Sequence, residues 1–192
     1  MNVLERQGPW DEARGRVLLR IARESLAEAL GVGQAADYRE PWLQEPGACF
    51  VTLTLWENLR GCVGSVRAYR ALFDDVWLNA RAAAFHDNRF PPVERDEFSA
   101  LSVEVSLLSA PEPLPPFARE RDALAALRPG IDGIVLDAGA YRSTFLPQVW
   151  EQLPDPAEFL EHLKRKAGLP PGYWSPEVQL QRYTVRKWVE GE

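Results

Sequence analysis

At 192 residues, with 46% hydrophobic and 26% charged side chains, the chain is long enough for one substantial core, or for one domain with a smaller appendage. Its 28 acidic against 22 basic residues leave a net charge of -6, which repels a phosphate backbone and argues against a nucleic-acid partner. No apolar run approaches the ~20 residues that span a bilayer, and an N-terminus carrying Glu5, Arg6, Asp11 and Glu12 lacks the apolar core of a secretory signal, so a cytoplasmic protein is expected.

From Asp11 to Leu30 the apolar positions Leu18, Ile21, Ala22, Leu26 and Ala29 recur at three- and four-residue spacing, which predicts an amphipathic helix capped by Gly31. Ala48 to Leu55 then alternates as a half-buried strand, with Cys49, Val51, Leu53 and Leu55 on the apolar side, and Leu59 to Val66 reads as its hairpin partner. Register matters here, because a one-residue change in the loop turns every side chain to the other face. A two-residue turn would place Arg60 and Cys62 on the apolar face, where an unpaired guanidinium is costly. The sequence reading therefore prefers a three-residue loop, Trp56-Glu57-Asn58, with Asn58 taking a left-handed conformation. That choice puts Leu59, Gly61 and Val63 on the apolar side and turns Arg60 and Cys62 toward Thr52 and Thr54.

Leu72 to Phe85 is predicted as a second helix, whose small residues Ala80, Ala83 and Ala84 permit close approach to a neighbour. The block His86-Asp87-Asn88-Arg89-Phe90-Pro91-Pro92 ends it, and a short helix around Asp96 to Leu101 leads into a strand from Ser102 to Ser109. The proline-rich stretch Pro111 to Pro116 can be neither helix interior nor central strand, and marks a surface connection. A seam between two sub-domains is placed there, near 110–118. Beyond it, Ile131–Asp137 and Ala140–Leu146 form a hairpin closed around Ala138-Gly139. Asp155, Pro156 and Glu158 announce a capped helix that runs to Ala167 and stops at Gly168. A last strand is read across Val178 to Lys187.

The stretch Leu59-Arg60-Gly61-Cys62-Val63-Gly64 is the candidate site. It sets a thiol two residues from a guanidinium, between two glycines that weaken a strand unless something must come close. With CFVTL at 49–53, the block from Ala83 to Pro92, Phe145-Leu146-Pro147-Gln148-Val149 and Lys166-Ala167-Gly168-Leu169, it closely resembles the AMMECR domain family, whose bacterial and archaeal branch is called protein A of the AmmeMemoRadiSam system. The resemblance runs from about residue 10 to 190. It implies an α+β fold, a mostly antiparallel sheet flanked by helices with a smaller α/β sub-domain and a cleft between the two. It also implies association with a Memo-like and a radical-SAM protein, and it carries no settled reaction.

Two readings of Cys62 stand side by side: a nucleophilic thiol whose thiolate a nearby guanidinium stabilises, or a small hydrophobe in the core. Arg60 suits a carboxylate or phosphate with its planar fork, and equally suits a surface ion pair. Gly61 and Gly64 would let a ligand or another backbone approach. Asp87, Arg89 and Phe90 lie in the most distinctive block of the resemblance, although a helix-ending turn explains Asp87 and Arg89 structurally. His86 is set aside as a solvent-facing residue. Glu104, on the polar side of its strand, is an acid/base candidate or a partner for Arg60. Gln148 is a neutral group that could orient a ligand between the sub-domains. Cys49 is read as core, and Lys164-Arg165-Lys166 as positive charge favoured at a helix C-terminus. No cofactor motif is visible, and neither cysteine lies in a CxxC or beside a histidine at zinc-site spacing. The expected function is action on, or binding of, a small anionic metabolite, with a non-catalytic interaction module as the alternative.

Overall fold

The computed structural model describes residues 9–191, so Glu5 and Arg6 lie outside it. The chain is α+β and divides into two compact units, the first running to Leu108 and resuming at Arg186, the second spanning Ser109–Val185.

The first unit begins with helix α1 (Pro9–Ala29), followed by the short strand β1 (Pro46–Gly47), β2 (Cys49–Leu55), β3 (Asn58–Gly64), β4 (Arg70–Ala71), helix α2 (Leu72–Phe85) and β5 (Leu101–Leu108). In the second unit come β6 (Glu112–Pro113), α3 (Glu120–Ala126), β7 (Gly133–Ala138), β8 (Tyr141–Phe145), α4 (Pro156–Ala167) and β9 (Gln179–Tyr183), before β10 (Val185–Val189) returns to the first sheet. The first sheet has the order β10-β5-β2-β3, the second β6-β9-β7-β8, and β1 pairs with β4.

Alternation decides which face of the first sheet is covered. Val51 and Leu53 of β2 and Val103 and Val105 of β5 are fully buried, and α1 and α2 pack over them through Leu18, Ile21, Leu26, Val76 and Ala80. The return strand is locked to the first helix at two points. Gly15 leaves room for the Trp188 ring, which would stand 2.3 Å from any Cβ there. Farther along, Arg23 forms an ion pair with Glu190. Neither point is legible from a periodic pattern. No helix of the described residues is long and apolar enough to cross a membrane.

Several predicted elements take a different form. Residues 95–100 make successive turns rather than a helix, with Ala100 N–H and Leu101 N–H both bonded to the Glu97 carbonyl. The strand read across Val178 to Lys187 is broken at Thr184, which exchanges bonds with Ser109 while the flanking halves join different sheets. The β7–β8 turn is Gly139-Ala140, one residue later than expected, with Gly139 at φ 68°. In α4 the cap is as read: Asp155 accepts from Ala157 N–H and Glu158 N–H, and Gly168 closes the helix at φ 87°. Lys164, however, is inside rather than fringing the helix end. Its ammonium is gripped by Glu120 at 2.7 Å and Glu161 at 2.8 Å; burial alone would lower its pKa, but the two carboxylates outweigh it and raise it.

The β2–β3 hairpin carries backbone strain. Leu55 pairs directly with Asn58, so Trp56 and Glu57 form a two-residue turn at φ 52° and 64°, the mirror-image geometry that Asn-Gly adopts most readily. Each of these bulky residues costs about 1–2 kcal/mol in that region. Trp56 is 76% exposed and recovers little by burial. Replacing Trp56-Glu57 by Asn-Gly is therefore expected to stabilise the chain by about 1 kcal/mol or more, a rise of roughly 2–4 °C in Tm per kcal/mol. Thermal unfolding checks this, and an unchanged or lower Tm would mean that Trp56 packs more than its exposure indicates.

Candidate functional site

The turn is one residue shorter than the sequence reading preferred, yet Cys62 still faces Thr52. A bulge restores the parity. Leu53 pairs with Gly61 and Thr54 with Leu59, which leaves Arg60 as the extra residue. Val63 and Gly61 keep the core side as expected, whereas Leu59 is turned to the Thr54 side and is 42% exposed. On the polar face the Thr52 hydroxyl donates to Cys62 Sγ at 3.3 Å, and Cys62 is half-buried. Thr52 also stands opposite Glu104 of β5. Glu104 is bound by Lys187 of β10 at 2.8 Å and accepts from Ser106 at 3.3 Å, so its partner is Lys187 and not Arg60. Cys62, Thr52 and Glu104 thus form a row across three strands, ending at Lys187 on the fourth.

Arg60 does not face this row as an anion holder. Lifted out by the bulge, its guanidinium forks onto both Glu97 oxygens at 2.8 and 2.9 Å and donates to the carbonyls of Pro91 at 2.7 Å and Pro92 at 3.1 Å. Its side chain is only 11% exposed. The hydrogen bonds that Arg60 donates to Glu97 raise the Arg60 pKa and hold the Glu97 carboxyl below the usual carboxylate range. This is a satisfied structural pair, the costly-to-break kind, and it corrects the expectation that Arg60 stabilises a thiolate.

The cation beside Cys62 is Arg89. Asp87 accepts the Cys62 backbone N–H at 2.9 Å and the Arg89 guanidinium at 2.9 and 2.7 Å, while Arg89 Nη2 reaches back to the Cys62 carbonyl at 3.4 Å. The Arg89 bond, then the Cys62 amide, hold the Asp87 carboxyl far below its ordinary range. Asp87 is 6% exposed and Arg89 57%, so the carboxylate is sealed and the guanidinium faces water. Phe90 lies under that guanidinium, 5.5 Å from ring centroid to the Arg89 carbon. His86 caps α2 through its backbone and is exposed.

The glycines admit the chain's own atoms. A Cβ on Gly61 would stand 2.0 Å from the Ala83 carbonyl oxygen of α2, and one on Gly64 2.3 Å from the Phe50 ring. Of the two expected neighbours, ligand or backbone, Gly61 meets backbone, and Gly64 meets the Phe50 ring and the Cys49 carbonyl. Gln148 belongs to the second unit, exposed in the single-turn helix Pro147–Glu151. Cys49 is fully buried on the core face, where burial drives its thiol pKa well up. Among the described residues no three His, Cys, Asp or Glu side chains converge as a metal site. Nothing local in the sequence marks Glu97 or Lys187, whose partners lie 37 and 83 positions away, or shows that Asp75 faces inward.

The two motifs LRGCVG and HDNRFPP are thus one physical unit, strand and clamp. The model of the AMMECR1 family matches residues 19–188 of the chain. The chain belongs to the AMMECR1 family. Its AMMECR1-type relatives include an Aeropyrum pernix protein, 39% identical over 190 residues that cover 95% of this chain and 81% of that one. A Methanothermobacter thermautotrophicus protein is 36% identical, with 95% and 97% covered. The crystal structure of the uncharacterised protein PH0010 from Pyrococcus horikoshii superposes with a TM-score of 0.74 at 32% identity, covering 92% of this chain and 91% of that one. The AMMECR1 fold is therefore shared along nearly the whole length.

Proposed function

We propose that the polar face of the first sheet is a thiol-dependent site for a small anionic metabolite, with Cys62 as the reacting thiol and Arg89, in place of Arg60, as the group that holds the anion. The observation that carries this reading is the geometry at Cys62. A half-buried sulfur receives a hydroxyl donor from Thr52, while an exposed guanidinium is held against the same residue by a sealed carboxylate. Glu104 and Lys187 extend the polar row and suit orienting roles toward a bound metabolite. The reading is of a cytoplasmic protein of the AmmeMemoRadiSam system, whose Memo-like and radical-SAM partners would make or consume that metabolite.

A second reading has its own support. Arg60, Gly61 and Gly64 are fully engaged by internal packing, which is what a non-catalytic binding module would need of this motif. Alkylation separates the two. Native protein treated with iodoacetate is expected to be carboxymethylated at Cys62 and not at Cys49, as read by peptide mass spectrometry. Arg89→Gln should slow iodoacetate by about fivefold more than it slows neutral iodoacetamide, fivefold being the upper worth of an exposed ion pair. A Cys62 that stays inert until the protein unfolds would end the thiol reading and favour the binding module.

A further inference from the structure

Strand β3 is the outermost strand of the first sheet, and its sequence is poorly defended. Between Asn58 and Gly64 the only charge is Arg60, and that guanidinium is turned onto Glu97, Pro91 and Pro92. A neutral, glycine-containing edge of this kind is a template for pairing with another chain. The opposite edge, β10, carries Arg186 and Lys187, which discourage such pairing. At β3 the segment after α2 does the same work differently. Asp87 takes the N–H of Cys62 and Arg89 reaches its C=O, so both backbone groups of that edge residue meet side chains. Two residues earlier, Arg60 ties the same segment down through the Pro91 and Pro92 carbonyls, and Val93 N–H returns to the Ala84 carbonyl of α2.

We propose that residues 86–93 are an edge cap: Asp87 and Arg89 occupy the hydrogen-bonding positions that a neighbouring strand would take, and thereby stop β3 from pairing with β3 of a second copy of this chain. The block resembles a ligand-binding motif in sequence because it carries a carboxylate, a guanidinium and an aromatic ring. Its hydrogen bonds assign it first to closing the sheet. Asp87 is the key group, because it meets the strand amide and the arginine at once.

The test uses the full chain. In the wild type the Cys62 amide, although on a sheet edge, is expected to exchange its hydrogen far more slowly than in an unstructured peptide. In Asp87→Ala that exchange should quicken about ten- to hundredfold, the loss of a hydrogen bond to a charged acceptor. The same variant, with wild-type circular dichroism, should form species larger than the wild type by light scattering at high concentration. Adding Leu59→Lys, which places a charge on the exposed part of the edge, should restore the wild-type size while leaving the Cys62 amide fast. A folded Asp87→Ala protein that keeps the wild-type size overturns the proposal. So does a wild-type Cys62 amide that exchanges as fast as an unstructured peptide, a result that stands whether or not the variant folds.

Discussion

A Gly61→Ala variant is expected to lose roughly 10 °C of Tm, more than any other single methyl group added to the first unit. The added Cβ would lie 2.0 Å from the Ala83 carbonyl oxygen and 3.0 Å from its carbon, both main-chain atoms of α2. A side chain in the way could rotate; a helix backbone cannot. Relief requires α2 to lift from β3 or β3 to bend outward, and either motion opens the packing of Ala80 and Ala83, which are at most 1% exposed. Ordinary overpacking costs about 1–3 kcal/mol, a direct backbone clash lies at or beyond the top of that range, and each kcal/mol is worth roughly 2–4 °C at this size. Gly139→Ala supplies the contrast. That position has φ 68° and nothing within 4 Å, so only the left-handed backbone term applies, about 1–2 kcal/mol. Thermal unfolding of the two variants in parallel checks the argument, and equal losses would refute the clash as the cause.

The second large effect falls on Asp75, a residue in the first turn of α2 with no exposed side-chain surface. Its carboxylate accepts Cys49 N–H at 2.8 Å, the Ser65 hydroxyl at 2.6 Å, Arg70 Nε at 2.8 Å and Asn79 Nδ2 at 3.1 Å. These donors come from β2, from the end of the hairpin, from β4 and from α2 itself. Ser65 and Arg70, the two ends of one loop, are therefore pinned to a single buried acceptor. Removing that acceptor leaves the Arg70 guanidinium without its carboxylate and takes the acceptor from the buried Cys49 N–H and Ser65 hydroxyl. Asp75→Ala is expected to cost about 3–5 kcal/mol, the usual penalty for breaking a buried charge pair from one side. Asp75→Asn should recover little, because its amide presents N–H groups to donors and carries no charge for Arg70. Urea unfolding followed by circular dichroism measures both, and a loss under about 1 kcal/mol for Asp75→Ala would show the network to be dispensable.

These two residues illustrate what sequence reading could and could not reach. Gly61 was singled out because a glycine inside a strand asks for a close approach, and a close approach exists. What approaches is Ala83, from a helix that the small-residue pattern had already flagged as able to come near. Asp75 carries no comparable mark, since an aspartate in the first turn of a helix is favoured by the helix dipole wherever it points. Only packing shows that it faces inward. The same holds for Lys164 at the other end of a helix, where the dipole alone accounts for a positive charge.

The hairpin shows where local reasoning runs out. Parity required Cys62 to face Thr52, and the reading met that requirement by lengthening the loop. The chain meets it instead with a two-residue turn and a bulge at Arg60. Both solutions shift the pairing by one residue, so the pattern of apolar positions cannot distinguish them. They differ in the fate of Arg60, since the bulge swings its guanidinium away from the thiol and onto Glu97.

By itself the sequence determined the class of fold, the principal helices and strands, the α4 caps and the face on which Cys62 lies. The elements, the caps and the Cys62 face follow from short-range periods and from residues whose backbone preferences act locally, and the class of fold from the resemblance to the AMMECR domain family. Tertiary structure alone decided that Arg60 pairs with Glu97, that Asp87 and Arg89 close the edge at Cys62, and that Glu104 pairs with Lys187. Those bonds join positions 25 to 83 residues apart. Their partners are chosen by which strands become neighbours, and a charge carries no local mark of the opposite charge it will meet.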